Sequence, residues 1–112
     1  MAKLECTLRG SVDDILHTLE NAILGGSVSA TREDMSCFSL GANRCILSVY
    51  ERYSWTGGNR VSLTLLLVQD GPLVRLSAIT SGGSQAVFFK INTFGESAFL
   101  DHVRSAVRPF LQ

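Results

Sequence analysis

The chain has 112 residues, 46% of them hydrophobic, and its ten Lys and Arg balance ten Asp and Glu; this fits a single α+β domain over residues 1–112 that buries roughly two thirds of its unfolded surface. Zero net charge argues against non-specific nucleic-acid binding, which leaves a basic footprint on a sequence. No stretch approaches the roughly 20 apolar residues that cross a bilayer, and Met1 to Leu4 opens no secretory apolar run, so no membrane association and a cytoplasmic location are expected.

Leu4 to Arg9 alternates, with Leu4, Cys6 and Leu8 on one side, and Gly10 ends a short edge strand. Ser11 stands where an N-cap should, Asp13 and Asp14 suit the positive end of a helix, and Val12, Ile15, Leu16, Leu19 and Ile23 recur at helical spacing. The spacing predicts a helix from Val12 to Leu24, stopped by Gly25 and Gly26 with one of the pair in the left-handed cap. Ser27 to Leu40 keeps a poor period, broken by Arg32, Glu33 and Asp34, and reads as one strand with an irregular middle or as two short strands. Cys45 to Thr80 carries the strongest signal, three antiparallel strands of period two marked by Cys45 to Val49, Val61 to Leu65 and Val74 to Ala78. Ser81 to Ser84 ends the third as a flexible loop. Gln85 to Asn92 is too apolar for an exposed loop and reads as a short strand or an anchored arm. Thr93 and Glu96 make a capping box for a final helix whose buried stripe is Phe99, Leu100, Val103 and Val107, with Phe110 and Leu111 beyond. Pro109 ends or kinks it near Arg108.

Turn chemistry sets the register of the three central strands. An Asp70, Gly71 hairpin, or a four-residue loop from Gln69 to Pro72, places Leu67 opposite Val74, Leu65 opposite Leu76 and Leu63 opposite Ala78. A three-residue turn from Thr56 to Gly58 pairs Val49 with Leu65 and Leu47 with Leu67. One face is then apolar and helix-covered: Cys45, Leu47, Val49, Val61, Leu63, Leu65, Leu67, Val74, Leu76 and Ala78. The other carries Ile46, Ser48, Tyr50, Arg52, Leu66, Val68, Leu73 and Arg75, and its apolar corner calls for a cover of its own.

The expected fold class is α+β, a two-layer arrangement of about five antiparallel strands in the order β-α-β-β-β-β-α with both helices on one face. That order resembles the TATA-binding-protein-like and helix-grip folds. Tyr53 to Leu63, with Trp55, Gly57, Gly58, Asn59 and Arg60, and Leu76 to Glu96, with Gly82, Gly83, Gln85, Phe88, Phe89, Lys90, Asn92 and Gly95, resemble a family of short uncharacterised bacterial proteins. The resemblance covers most of the chain and implies no activity, cofactor or catalytic residue.

Chemistry is sparse. Cys6, Cys37 and Cys45 are odd in number and not spaced as a metal knuckle or redox pair, so they read as reduced thiols packed like small apolar groups. His17 and Glu20 share a helix face without a third ligand, and no metal or cofactor is expected. Gly82 to Ala86 comes within one residue of a nucleophile elbow, with Asp101 and His102 downstream, but lacks the helix and parallel sheet an elbow requires. Ser81, Gly82, Gly83 and Ser84, with Lys90 nearby, offer amides and a cation to an anion, although Glu96 opposes one there. The leading expectation is a non-enzymatic domain that self-associates as a homodimer, or meets another protein, through Ile46, Tyr50, Leu66, Val68, Leu73 and Arg75. The alternative is a small-ligand pocket between sheet and final helix, lined by Phe88, Phe89, Phe94 and Phe99.

Overall fold

Strands and helices follow one another in the expected order: β1 (Ala2–Arg9), α1 (Val12–Gly25), β2 (Thr31–Leu40), β3 (Asn43–Tyr53), β4 (Arg60–Asp70), β5 (Leu73–Gly82) and α2 (Phe89–Ala106), then a 3-10 turn at Arg108–Phe110. The computed structural model describes residues 1–27, 29–53, 60–82 and 89–112, and of 89–97 the helical backbone alone. The strands form one antiparallel sheet in the order β1-β5-β4-β3-β2, so the first strand lies beside the last and β2 is the far edge. Both helices pack on the same face, where Leu8, Ile15, Leu19, Ile23, Leu63, Leu65, Leu67, Phe99 and Val103 share one core.

Local chemistry accounts for α1. Ser11 is its N-cap, in extended conformation, and its Oγ accepts a hydrogen bond from the Asp14 amide at 3.2 Å. Val12, Ile15, Leu19 and Ile23 then fall on the buried side. The C-terminus differs from expectation: Gly26 caps it at φ −85°, its N–H donating to the Ala22 carbonyl, with no left-handed residue. At the other end of the chain α2 starts at Phe89, so Phe89 to Asn92 are helical rather than strand or arm, and Thr93 and Glu96 lie within the helix rather than at its cap. β2 is one strand, irregular in its middle, with a bulge between Arg32 and Asp34.

Two registers depart from the sequence reading, with unequal consequences. The β4–β5 turn is Gly71, Pro72, with Gly71 at φ 59°, the left-handed conformation required at the first position of this hairpin. Proline fits the second position because its φ is already negative and the ladder asks no hydrogen bond of its nitrogen. Leu67 therefore meets Leu76, Leu65 meets Ala78 and Leu63 meets Thr80, a slide of two residues that leaves every side chain on its face. Between β3 and β4 the slide is one residue. Tyr53 pairs with Arg60, which sets Ile46 against Leu67, Ser48 against Leu65 and Tyr50 against Leu63. Ile46, Ser48 and Tyr50 thus lie fully buried beneath the helices, while Leu47 turns to the opposite face and stays 38% exposed. Burying the large Tyr50 ring and Ile46 favours this register, and α1 supplies the phenol with a partner.

Gln69 ties the hairpin turn to the start of α1. Its Oε1 accepts the Val12 amide at 2.7 Å, one of the amides a helix start leaves without an internal acceptor. Its Nε2 lies 3.1 Å from the Gly10 carbonyl, 2.9 Å from that of Gly71 and 3.1 Å from that of Leu73. Replacing Gln69 with Ala strips partners from these partly buried groups and is expected to lower unfolding stability by about 1–3 kcal/mol in urea titration. A loss below about 0.5 kcal/mol would show that solvent satisfies them equally well.

Candidate functional site

On the covered face the polar side chains cluster where α1, β3 and α2 meet. The Tyr50 hydroxyl donates to Glu20 Oε2 at 2.7 Å, and Arg32 Nη1 from β2 lies 3.1 Å from both oxygens of the same carboxylate. Burial, chiefly, pushes the Tyr50 phenol well above its ordinary pKa, and the Glu20 carboxylate adds to the shift; the nearby Ser48 hydroxyl offsets part of it. That hydroxyl is itself fully buried and stands outside hydrogen-bonding geometry with any described residue. Glu20 is thus spent on holding β3 and β2 to α1, and His17, which shares its helix face, bonds Asn21 at 3.2 Å.

Two residues farther along β3, the Arg52 guanidinium lies over the Phe99 ring, 4.5 Å from its centroid, and 3.3 Å from Nε2 of His102. A guanidinium only donates, so Nε2 must accept and the imidazole proton sits on Nδ1. Burial, and then the Arg52 cation, hold the His102 pKa below 6.5, with Asp101 pulling weakly the other way. Desolvation likewise lowers the Arg52 pKa. The ring packs on the end of α1, where a Cβ at Gly26 would stand 2.6 Å from His102 Cε1 and Nδ1. Asp101 faces away and pairs with Arg104 at 3.5 Å. Asp101 and His102 therefore serve helix surface and helix packing.

Ser81 and Gly82 end β5, where Gly82 pairs with Val61 so closely that a Cβ would meet the Arg60 carbonyl at 2.6 Å. This contact explains the glycine structurally. Gly83, Ser84 and Phe88 lie outside the described residues, as do the side chains of Phe89, Lys90 and Phe94, and so does Trp55. Among the described residues no three His, Cys, Asp or Glu side chains converge as metal ligands would.

Among the described residues, the opposite face of the sheet carries no helix. Its rows run straight across five strands. Asp34, Val49, Thr64, Ile79 and Lys3 form one; Ser36, Leu47, Leu66, Ser77 and Glu5 the next; Phe38, Cys45, Val68, Arg75 and Thr7 the third. Of the expected interface residues, Leu66, Val68, Leu73 and Arg75 lie here. Ile46 and Tyr50 do not: the one-residue slide of β3 moved them under the helices, and Cys45, Leu47 and Val49 took their places. Leu47 and Leu66 are each 38% exposed and directly paired, and Phe38 on β2 is 49% exposed. Beside them an open-mouthed depression of about 320 Å³ lies over β1, β5 and β4, bordered by Glu5, Thr7, Leu66, Val68, Arg75 and Ser77.

A family model for a family of unknown function, DUF6054, matches residues 1–111. The chain belongs to that family. No curated protein and no solved structure matches it. Family membership assigns no role to any residue, so the site rests on the geometry above. Phe38 was missed because β2 has no clean alternation to declare which way it points, and Leu47 because the length of the β3–β4 connection could not be counted from sequence.

Two measurements probe the covered cluster. Tyr50→Phe removes the donor to a partly buried carboxylate and is expected to cost about 1–3 kcal/mol in chemical denaturation. His102 has a folded pKa below its unfolded value, so the unfolded chain takes up the proton first. Stability is expected to fall as pH drops below about 6.5, and a His102→Gln variant to lose that part of the pH dependence. An NMR titration placing the His102 pKa above 6.5 would reverse the sign.

Proposed function

We propose that the chain is a non-enzymatic association domain whose helix-free sheet face binds another polypeptide. The observation that carries this reading is the continuity of the apolar rows there: Phe38, Leu47 and Leu66 each keep more than a third of their surface open to solvent, side by side. An antiparallel sheet tolerates one solvated face when that face is polar, and a contiguous apolar patch on it marks a surface used for contact. A small-molecule site beneath α2 has less behind it, since Phe99, its one described aromatic, is fully buried and capped by Arg52. A cytoplasmic site of action belongs to the same reading and is supported by three cysteines that are all free thiols.

The test is site-specific photo-cross-linking in living cells. A photoreactive residue at Leu47 or Leu66 should join the chain to a polypeptide, whereas the same residue at Leu24, an exposed leucine on α1, should not. Equal yields at all three positions, or no adduct at Leu47 and Leu66, would overturn the proposal.

A further inference from the structure

We infer that the polypeptide seated on the open face is a second copy of this chain, stacked face to face about a two-fold axis that runs along β4. This rests on the association reading above and names its partner. The face is complementary to itself in that arrangement. A closed pair of identical faces requires an axis lying in the plane between them. Its two simplest directions are along the strands and across them.

An axis along β4, the central strand, leaves each row at its own height and exchanges the two edges of the sheet. β2 of one copy then lies over β1 of the other, and β3 over β5. In the third row this sets the protruding Phe38 of one copy above Thr7 of its partner, at the mouth of the depression bordered by Thr7, Val68 and Arg75. A guanidinium beside an incoming aromatic ring adds a cation–π contact. In the first row the same exchange sets Asp34 over Lys3, and Val49 over Ile79. On the axis Leu66 meets Leu66 and Val68 meets Val68. The complementary charges are Asp34 and Lys3, a pair the two-fold repeats at the opposite edge; within each copy Lys3 also lies 3.6 Å from Glu5, and Glu51 is held by Arg60 at 2.6 Å. Knob meets hole and plus meets minus at both edges at once.

An axis across the strands through the second row does the reverse. It lays each strand on its own counterpart, so Glu5 meets Glu5, Ile79 meets Arg75 and the two depressions face each other. Size also fits. Five strands spaced about 4.8 Å apart and paired over about eight residues cover roughly 600–700 Å² per copy, close to the area of a standard specific interface. Two twisted sheets stacked this way cross at about −30°, the aligned packing of a β-sandwich.

Sedimentation equilibrium of the purified chain provides the test, with circular dichroism to verify that each variant is folded. The wild-type chain should run at twice its 12.2 kDa mass. Phe38→Ala should weaken the dimer about tenfold or more, as loss of an aromatic anchor seated in a depression does. Asp34→Lys should weaken it about three- to tenfold at low salt, because each reversed charge occurs twice by symmetry, and adding Lys3→Asp should restore it. A single-chain mass at about 100 µM overturns the inference, as does a double variant no tighter than Asp34→Lys alone. If the wild type stays monomeric while a photoreactive Leu66 still captures a different polypeptide in cells, the choice of partner is wrong and the association reading stands. If neither forms, both fall.

Discussion

The register of β3 against β4 is the constraint on which the character of both sheet faces depends. A strand has two faces and a slide of one residue exchanges them, so the position of Tyr53 opposite Arg60 decides every side chain that β3 shows to solvent. Three interactions hold that position. The Tyr50 ring is buried in the core, its hydroxyl is bonded to Glu20 on α1, and Arg52 two residues on is stacked over Phe99 on α2. The last two join β3 to different helices, and the alternative register would turn the phenol and guanidinium away from both. The accompanying cost is the Ser48 hydroxyl, carried into the core without a described partner.

The two sheet faces are therefore different in kind. Beneath the helices, Val61, Leu63, Leu65 and Leu67 on β4 and Val74, Leu76 and Ala78 on β5 form a closed apolar layer, and its few polar groups are almost all engaged. On the other side the same strands show Leu66, Val68, Leu73 and Ile79 among serines, a threonine, Asp70 and two arginines, a composition intermediate between core and solvated surface. Such a face is stable in water yet gains by being covered. The depression near Arg75 and the protruding Phe38 give it a shape as well as a polarity.

The sheet edges are managed differently. The tail after the 3-10 turn returns along β1, with Leu111 bridged to Leu8 and the Gln112 amide donating to the Thr7 carbonyl at 3.3 Å, which occupies part of that edge. Among the described residues nothing covers β2 in this way, and it is exposed along its whole length. Its bulge and the charges of Arg32, Glu33 and Asp34 disfavour further strand pairing at one end. Stacking by the face rather than extension at the edge is consistent with that protection.

Much of this was legible from the sequence because local signals are enough for it. The order of elements, the α+β class, the Ser11 cap and the buried stripes of α1 and α2 each follow from spacing within a dozen residues. The inward faces of β4 and β5 were legible too, since a misplaced turn there slid the register by two and left the faces intact. Counting across residues 54–59 could not fix β3, because the choice between its two faces is made by Glu20 and Phe99, which lie 30 and 47 positions from the β3 residues they hold. The chain alone determined that one sheet face would be apolar and helix-covered and the other only half polar. Which residues of β3 and β2 occupy that second face, and hence that Phe38 stands level with a depression across the sheet, was decided only when long-range packing selected one register of two.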